Sequence, residues 1–273
     1  MLSTVGFVTN NEKQVAIDCA SRAEVFFRSN GIRVLRAGSG GFPEKPDLMI
    51  TFGGDGTLLS GARLAMAWGS PLLGINLGTV GFLTEEEPEN LDRTLEALRA
   101  GQYTIEKRSL LEAVREGNGG RFFALNDVVI TRGGYARLIR VEAEVNGEAY
   151  GAFTADGIIV ATPTGSTGYS LSAGGPIVEP GMSCMTITPV CAHSLQHAPC
   201  VVASSSEILL RMRPDREQTA ELQVDGMNRG TLGAGDEVRI TGAQQSLSLI
   251  RLRPYHFFGL VRKKLMEWGS THE

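Results

Sequence analysis

Leu48-Met49-Ile50-Thr51-Phe52-Gly53-Gly54-Asp55-Gly56-Thr57 is the stretch that decides the fold of this chain. A mostly apolar run leads into a turn rich in glycine, and apolar residues with helical spacing follow it. This order predicts a strand, a tight turn and the start of a helix. Glycines let a backbone adopt positive φ and approach a ligand, and N–H groups at a helix N-terminus favour an anion. The glycine turn, residues 53–57, therefore predicts a phosphate site.

Asp55 distinguishes this turn from a simple phosphate loop. A carboxylate repels phosphate unless it binds a metal, accepts a proton from a hydroxyl group or orients a sugar. Chemistry beside the phosphate is therefore the functional interpretation of Gly53, Gly54, Asp55, Gly56 and Thr57. The structural alternative is a strand-to-helix turn in which Asp55 caps the helix and the glycines only satisfy backbone geometry.

The composition favours small-molecule partners. The chain has 273 residues, 42% of them hydrophobic and 21% charged, which suits one large or two smaller globular domains. The formal net charge is −4 and no block of Lys and Arg occurs, so binding to nucleic acid or to an acidic membrane is not expected. Residues 1–14 do not resemble a secretory leader, and no apolar run is long enough to span a bilayer. These features predict a cytoplasmic protein.

The cysteines predict reduced, mostly buried thiols, because they lie far apart and include no Cys-x-x-Cys pair. A zinc site is the alternative for one group, formed by Cys191, His193, His197 and Cys200. Their spacing matches no standard pattern of zinc ligands, and neighbouring prolines imply a loop. We therefore assign no residue of the chain as a metal ligand.

Strands and helices alternate in the first hundred residues, which predicts a parallel sheet. Apolar runs predict strands at residues 4–8, 32–35, 48–52 and 71–75. Helical spacing predicts helices at residues 12–29, 57–68 and 88–100. Residues 1–100 are therefore expected to form an α/β, Rossmann-like nucleotide-binding domain.

After Gly101 helical periodicity disappears, and short runs rich in Val, Ile, Leu and Thr alternate with Gly or Asn turns. These runs predict strands at residues 103–115, 122–131, 138–145, 157–161, 185–188, 207–212, 220–224, 237–241 and 247–251. Asn118-Gly119 and Asn146-Gly147 predict hairpin turns. Residues 101–254 are thus expected to form a β-rich, sandwich-like domain. Helical spacing returns at residues 257–268, so residues 255–273 are expected to pack back on the first domain.

The hydroxyl-rich stretch, Thr162-Pro163-Thr164-Gly165-Ser166-Thr167-Gly168-Tyr169-Ser170-Leu171-Ser172, follows one of these strands. Hydroxyl and backbone N–H groups in such a turn suit contacts to phosphate or ribose, and Tyr169 can pack on an aromatic base. The structural alternative is a polar loop with Ser and Thr caps.

Asn126-Asp127 interrupts the apolar run from Phe122 to Ile130. An unpaired buried polar group costs about 1–3 kcal/mol, so this pair needs partners. Within a continuous strand the two side chains would point to opposite faces, and only one of them is expected to meet a ligand.

Several segments, in this order and spacing, resemble the NAD kinases across nearly the whole chain. They are residues 53–57, the loop at residues 78–83, Asn126-Asp127, Asp156-Gly157 and residues 162–176. Lipid kinases and phosphofructokinases resemble the first segment alone. The resemblance implies transfer of the terminal phosphoryl group of ATP, or of another phosphate donor, to the adenosine ribose 2′-hydroxyl of NAD. It also implies a divalent cation, expected to be Mg²⁺, and a homodimer or homotetramer.

The resemblance also implies roles for individual residues. Asp55 is the catalytic carboxylate. The phosphate side of the site is formed by Gly53, Gly54, Gly56 and Thr57, and a wall near a nucleoside by Phe82 and Leu83. The NAD sugar and base are held by Asn126 and Asp127. The rest of the dinucleotide site matches at Thr154, Asp156, Thr164, Thr167, Gly168, Tyr169, Ser172 and, in a late loop, Asp225.

The chain departs from the family pattern at a few positions. Asp127 stands where Glu is more frequent and reaches about one methylene less far, and Gly168 stands where Ala is common. Thr154 replaces a frequent Arg, so we expect NADH to be accepted as well as NAD. His193 follows Ala192 where the family has proline, and we expect a structural role for it.

Three other classes of function remain open. A dehydrogenase would need Gly-x-Gly-x-x-Gly after the first strand, whereas Thr9-Asn10-Asn11 stands there. A lipid kinase would share the glycine turn, but the hydroxyl-rich stretch with Tyr169 suits a nucleoside better than an acyl chain. An NAD sensor would bind without catalysis. A Walker-type loop is absent from the sequence, so donor phosphates are held otherwise, and the choice between ATP and polyphosphate stays open.

Overall fold

The computed structural model describes residues 2–38, 41–78, 81–84, 86–117, 120–134, 137–192, 198–214 and 218–270, with side chains to residue 266. The chain divides into two compact units. The first unit comprises Met1–Lys107 and Leu247–Glu273, and the second unit comprises Arg108–Ser246. The predicted fold class, an α/β region followed by a β-rich region and a final helix, is confirmed.

The first hundred residues alternate strands and helices. The elements are β1 (Thr4–Thr9), α1 (Gln14–Ser29), β2 (Arg33–Arg36), β3 (Leu48–Gly53), α2 (Asp55–Trp68), β4 (Leu72–Asn76), a 3₁₀ helix (Pro88–Asn90) and α3 (Leu91–Arg99). The strands pair in parallel in the order β2-β1-β3-β4. Parallel strands present their carboxyl ends at one edge of the sheet, and in open α/β sheets ligands bind at this edge.

The core of the first unit explains the apolar run with which β3 begins. Every residue of β3 is buried, as is typical of a parallel strand covered on both faces. Phe7 packs edge-on against Phe27 and Phe52, with ring centroids 6.1 and 5.0 Å apart. This packing fixes the strand that ends at the glycine turn.

The rest of the chain is mostly β-structure. The elements are β5 (Thr104–Arg115), β6 (Gly120–Ala124), β7 (Asp127–Thr131), β8 (Ile139–Val145), β9 (Glu148–Ala155), β10 (Gly157–Ala161), a 3₁₀ helix (Gly165–Thr167), α4 (Tyr169–Ser172), β11 (Cys184–Val190), β12 (Cys200–Ala203), β13 (Glu207–Met212), β14 (Ala220–Val224), β15 (Met227–Leu232), β16 (Glu237–Arg251) and α5 (Phe257–Ser270). Helix α5 belongs to the first unit.

The second unit is a sandwich of antiparallel strands. One sheet has the order β12-β11-β10-β7-β14-β15. In the other, β13 pairs with β8 and with the first half of β16, and β8 pairs with β9. Both sheets contribute to one apolar core, which includes Ile130, Val160, Leu222, Val141, Leu210 and Ile240.

The structure differs from the predicted strands in the second unit. The single strand predicted at residues 122–131 is wrong, because β6 ends at Ala124 and β7 begins at Asp127. The strands predicted at residues 237–241 and 247–251 are one continuous strand, β16. Strands β9, β12 and β15 were not predicted. The Asn146-Gly147 turn is confirmed, with positive φ at both residues, whereas Asn118-Gly119 lies outside the described residues.

Candidate functional site

The glycine turn lies at the carboxyl end of β3. Helix α2 begins at Asp55, two residues earlier than predicted, and Gly54 occupies the N-cap position without a side-chain cap. The N–H groups of Thr57 and Leu58 bond to the carbonyl of Gly54 at 3.0 Å. Asp55 therefore lies in the first turn of the helix, and Gly54 takes the capping position that the structural alternative gave to Asp55.

The side chain of Asp55 is held by the loop that follows β4. Its Oδ2 accepts the N–H of Phe82 at 2.9 Å. Its Oδ1 accepts the N–H groups of Leu83 and Thr84 at 3.3 Å and the hydroxyl of Thr84 at 3.4 Å. We call residues 81–84 the clamp loop. Phe82 and Leu83, predicted to form a wall beside a nucleoside, thus contact Asp55 through their backbone.

Two kinds of glycine surround Asp55. A Cβ at Gly81 would lie 2.0 Å from Asp55 Oδ1, and a Cβ at Gly53 would lie 2.2 Å from Thr57 Oγ1. Glycine is required at Gly81 and Gly53 because any larger residue would collide with the side chain of Asp55 or of Thr57. At Gly54 and Gly56 an added Cβ would meet no described atom within 4 Å. Glycine at these two positions is therefore not required by contacts with the described residues, and space is left open beside the turn.

Lys13 and Asn76 lie at the same edge of the sheet and were not predicted. The ammonium group of Lys13 donates to the carbonyl of Leu77 at 3.4 Å. Asn76, the last residue of β4, is 4% exposed. Its amide donates to the carbonyl of Gly78 at 3.3 Å, and its Oδ1 has no hydrogen-bond partner among the described residues. A lysine at a helix start carries no sequence signal, and the parallel topology places Lys13 beside the loop that follows β4.

In the second unit the carboxylate of Asp225 accepts hydrogen bonds from three consecutive backbone N–H groups. They belong to Leu125 at 2.9 Å, Asn126 at 2.7 Å and Asp127 at 3.2 Å. Asp225 is 8% exposed and has a φ of 48°. These bonds bend the chain between β6 and β7, which explains why the predicted single strand is interrupted.

The hydroxyl-rich stretch packs on this bend. Thr162 donates its N–H to the carbonyl of Asn126 at 2.9 Å and its hydroxyl to that of Leu125 at 2.6 Å. A Cβ at Gly165 would lie 2.1 Å from the carbonyl oxygen of Asn126, so this close approach requires glycine. Asn126 Oδ1 is buried and has no partner within the described part of the chain. A ligand that donates a hydrogen bond would satisfy it.

Asp127 is 7% exposed. Burial, and then the charge of Asp225, raises the pKa of Asp127 from 3.8 to about 7. Tyr169 is 44% exposed, and its pKa is raised by burial and by the nearby Cys191, Asp156 and Asp127. Asp156 pairs with Arg132 at 2.6 Å. An exposed aromatic ring beside several acids suits a nucleoside base with hydroxyl or amino donors.

Other predicted hydroxyl groups bond within the chain. Thr164 Oγ1 accepts a bond from Arg108 at 3.3 Å, and Thr167 donates to the carbonyl of Thr164 at 3.3 Å. Ser172 is exposed, and Thr154 lies half-buried in β9 opposite Arg140. The hydroxyls of Thr164 and Thr167 therefore shape the loop.

The structure places the predicted site residues in two groups. In the first unit, the glycine turn lies against the clamp loop. In the second unit, the bend and the hydroxyl-rich stretch bring together Asn126, Asp127, Asp156, Thr164, Thr167, Gly168, Tyr169 and Asp225.

The four cysteines are free thiols in the structure. Cys19 and Cys184 are buried, Cys200 is half-buried and Cys191 is exposed, so the predicted burial holds for two of the four. His193 and His197 lie outside the described residues. In the part of the chain that the structure describes, no group of three or more His, Cys, Asp or Glu could hold a metal ion. None of the described helices has the length and apolar character needed to cross a membrane.

Comparison with known proteins supplies the family. The profile of the ATP-NAD kinase N-terminal domain matches residues 10–103, and that of the ATP-NAD kinase C-terminal domain matches residues 125–252. The NAD kinase of Moorella thermoacetica is 40% identical over 287 residues, covering 100% of this chain and 92% of that protein. The NAD kinase of Heliobacterium modesticaldum is 40% identical over 282 residues, covering 97% and 99%.

Two solved structures share the fold. The yeast NADH kinase complexed with NADH has a TM-score of 0.82 at 25% identity, covering 92% of this chain and 83% of that one. The NAD kinase from Archaeoglobus fulgidus in complex with ATP has a TM-score of 0.72 at 26% identity, covering 91% and 93%.

Proposed function

The chain belongs to the NAD kinase family, and from this membership we propose that it transfers the terminal phosphoryl group of ATP to the adenosine ribose 2′-hydroxyl of NAD, forming NADP. The observation that carries the proposal is the position of Asp55. Its carboxylate is oriented by the clamp loop beside a glycine turn that leaves open space at Gly54 and Gly56.

Asp55 is proposed to receive the substrate hydroxyl. A sugar hydroxyl is a very weak acid, and a carboxylate at about 3 Å can position it early and accept its proton late. Each oxygen of a carboxylate has about two acceptor positions. Oδ1 receives three hydrogen bonds from the clamp loop and Oδ2 one, so Oδ2 retains capacity for a hydroxyl group. Because phosphoryl transfer has a loose transition state, orientation should contribute more than deprotonation.

The donor phosphates are proposed to bind over the glycine turn. The first N–H groups of a helix have no partner within the helix, and they favour an anion. The open space at Gly54 and Gly56 admits the phosphate, and Lys13 supplies a positive charge at the same edge of the sheet. These groups replace the missing Walker-type loop.

The second unit is proposed to bind the dinucleotide, as expected of residues 101–254. The unpartnered Oδ1 of Asn126 accepts a donor of the ligand, and the exposed ring of Tyr169 packs on a base. Asp225 contributes by holding the backbone of residues 125–127. The lipid-kinase alternative accounts for the glycine turn alone, whereas the matched C-terminal domain covers residues 125–252.

Mg²⁺ is the proposed metal. Mg²⁺ is usually held by one or two carboxylates together with substrate phosphates, in place of an all-protein cage. The described residues offer no such cage, and Asp55 is a carboxylate beside the open phosphate space, so the site fits an ion that binds together with the phosphates. When bound, Mg²⁺ would neutralise charge on the transferred group.

Thr154 is proposed to permit NADH as a second substrate. The position lies in β9 and carries no charge that would favour either redox state of the nicotinamide. We expect the kcat/KM values for NAD and NADH to differ by less than about a thousandfold, roughly 4 kcal/mol. Steady-state kinetics with both dinucleotides measures this ratio, and a larger one would contradict the role of Thr154.

Assembly and location are proposed as well. We propose that the chain forms a homodimer or homotetramer and that it is located in the cytoplasm. Membership of the NAD kinase family favours both the assembly and the location. Light scattering of the active protein at micromolar concentration tests the assembly, and a mass near the chain's own 29.3 kDa would contradict it.

The decisive experiment combines the purified chain with NAD, ATP and Mg²⁺ and measures NADP. Replacing ATP by polyphosphate identifies the donor. Replacing NAD by diacylglycerol or a sphingoid base tests the lipid-kinase alternative. NADP formation that is lost in Asp55→Asn supports the proposal, whereas phosphorylated lipid without NADP would refute it.

A further inference from the structure

Tyr255 contacts the loop that holds Asp55. Its hydroxyl donates to the carbonyl oxygen of Phe82 at 3.1 Å. That carbonyl and the N–H of Leu83 belong to one peptide group, and the N–H donates to Asp55 Oδ1 at 3.3 Å. A single peptide group therefore links the tyrosine hydroxyl to the carboxylate.

The ring of Tyr255 is itself supported. The guanidinium carbon of Arg251 lies 4.3 Å from the ring centroid, a distance at which a cation is attracted to an aromatic face. Arg251 is 5% exposed, and its Nε pairs with Glu106 at 2.5 Å. The ring that carries the hydroxyl of Tyr255 is thus supported by a partly buried ion pair.

Glu86, which follows the clamp loop, is also held by the segment that contains Tyr255, namely residues 252–256 between β16 and α5. Arg253 pairs with Glu86 at 2.9 Å, and Glu86 is 1% exposed. The carbonyl of Glu86 accepts the N–H of Asn76 at 2.6 Å. Phe82 and Glu86 are therefore each tied to the residues that join β16 to α5.

We infer that Tyr255 is a positioning residue, which holds the carboxylate of Asp55 in its reactive orientation through the peptide group of Phe82 and Leu83. Hydrogen bonds in a chain polarise and strengthen one another. Without the hydroxyl, this peptide group keeps its N–H bond to Asp55 but loses the bond that holds its carbonyl, and small displacements at a reacting centre lower the rate strongly. This inference rests on the proposed function.

Tyr255→Phe tests the inference, because it keeps the ring and its contact with Arg251 and removes the hydroxyl alone. We expect kcat to fall about 5- to 30-fold, with the KM values for NAD and ATP within about twofold, since the orientation of Asp55 matters in the transition state. Tyr150→Phe is the matched control. It also removes a tyrosine hydroxyl that donates to a backbone carbonyl, that of Ala198 at 2.7 Å in the second unit. We expect its kcat to stay within about twofold of wild type.

A double-mutant cycle separates positioning from general stability. In the Asp55→Asn background, Tyr255→Phe should change the residual kcat by less than about twofold, because the carboxylate it positions is gone. A merely structural contribution would reduce kcat by the same factor in both backgrounds. An unchanged kcat in Tyr255→Phe alone, or equal factors in the two backgrounds, would overturn the inference.

A readout that does not depend on turnover is amide hydrogen exchange of peptides covering residues 81–84. Tyr255→Phe should accelerate exchange there and Tyr150→Phe should not, because the clamp loop opens locally. Unchanged exchange would refute the contact even in an active enzyme. A wild-type chain that forms no NADP but shows the accelerated exchange in the variant would contradict the proposed function and leave the contact established.

Discussion

Asp55 and Asp225 receive nearly the same set of hydrogen bonds in two different regions. Each carboxylate accepts the N–H groups of three consecutive residues, 82–84 for Asp55 and 125–127 for Asp225. Asp55 is half-exposed beside an open glycine turn, whereas Asp225 is 8% exposed. The same bonds therefore have opposite effects: the clamp loop holds the carboxylate of Asp55 beside the glycine turn, whereas the carboxylate of Asp225 shapes the backbone of residues 125–127.

Asp55→Asn should give the largest effect and should separate the two aspartates most clearly, because we expect it to reduce turnover. The amide keeps the shape and one acceptor oxygen but loses the charge and the basicity. We expect kcat to fall about a hundredfold to ten-thousandfold, with NAD affinity within about tenfold. Steady-state kinetics, calorimetric NAD binding and a melting curve measure the three effects. A variant that melts early but keeps its kcat would make Asp55 a structural residue like Asp225.

Asp225→Ala should show the opposite pattern, a loss of stability. It leaves three backbone N–H groups without their acceptor, and each unsatisfied buried group costs about 1–3 kcal/mol. We expect the free energy of unfolding to fall by about 3–5 kcal/mol in urea denaturation.

Asp225→Asn is the matched control for this loss. Its remaining oxygen can replace Oδ1, which accepts two of the three N–H groups. A smaller loss is expected, and an alanine variant as stable as the wild type would refute the shaping role of Asp225.

Asp127, which lies near Asp225, should make the stability of the second unit depend on pH. Its pKa is raised from 3.8 to about 7. Between these values the folded protein retains a proton that the unfolded chain has released. Stability from this group is therefore present at low pH and lost as pH rises toward about 7.

Asp127→Asn removes this dependence. Relative to wild type, the variant should gain stability from about pH 4 to about pH 7, by at most about 1.4 kcal/mol per pH unit, and no further above that range. Urea denaturation of both proteins across this range measures the difference. Parallel stability curves would contradict the raised pKa.

Lys13→Gln should produce the smallest effect, a rise in the KM for ATP of about 3- to 10-fold, because an exposed charge contributes about 1 kcal/mol. The KM for NAD should not change, and added salt should reduce the difference. Lys45→Gln is the control, since Lys45 precedes β3 and lies 3.9 Å from the Cβ position of Gly69, after the last residue of α2. Equal effects of the two variants would show that Lys13 acts only through net charge.

The sequence predicted the first unit well because its signals are local. Apolar periodicity and the glycine turn identified β1, β3, β4 and their helices within a few residues, and boundaries of that precision are normal. The final helix was predicted for the same reason. The turn at Asn146-Gly147 was also found, because these residue types tolerate positive φ.

The errors arise where distant residues act on the backbone. The bend at Leu125-Asn126 is made by Asp225, 100 residues away from Leu125, so no local pattern marks it. A strand was predicted to end at residue 241, yet β16 continues through Gly242. A Cβ at Gly242 would lie 2.4 Å from the carbonyl oxygen of Ser204, so a close approach of distant backbone requires glycine within the strand. The clamp on Asp55 uses backbone N–H groups, which no residue type reveals.

The bond between Tyr255 and Phe82 also orders events in time. The two residues are 173 positions apart, and synthesis proceeds at about 5–20 residues per second, so roughly 9 to 35 seconds separate their appearance. Asp55 and the clamp loop are synthesised early, before the residue whose hydroxyl group bonds to the clamp loop. A nascent chain therefore contains Asp55 well before it contains Tyr255, the residue that we infer positions its carboxylate.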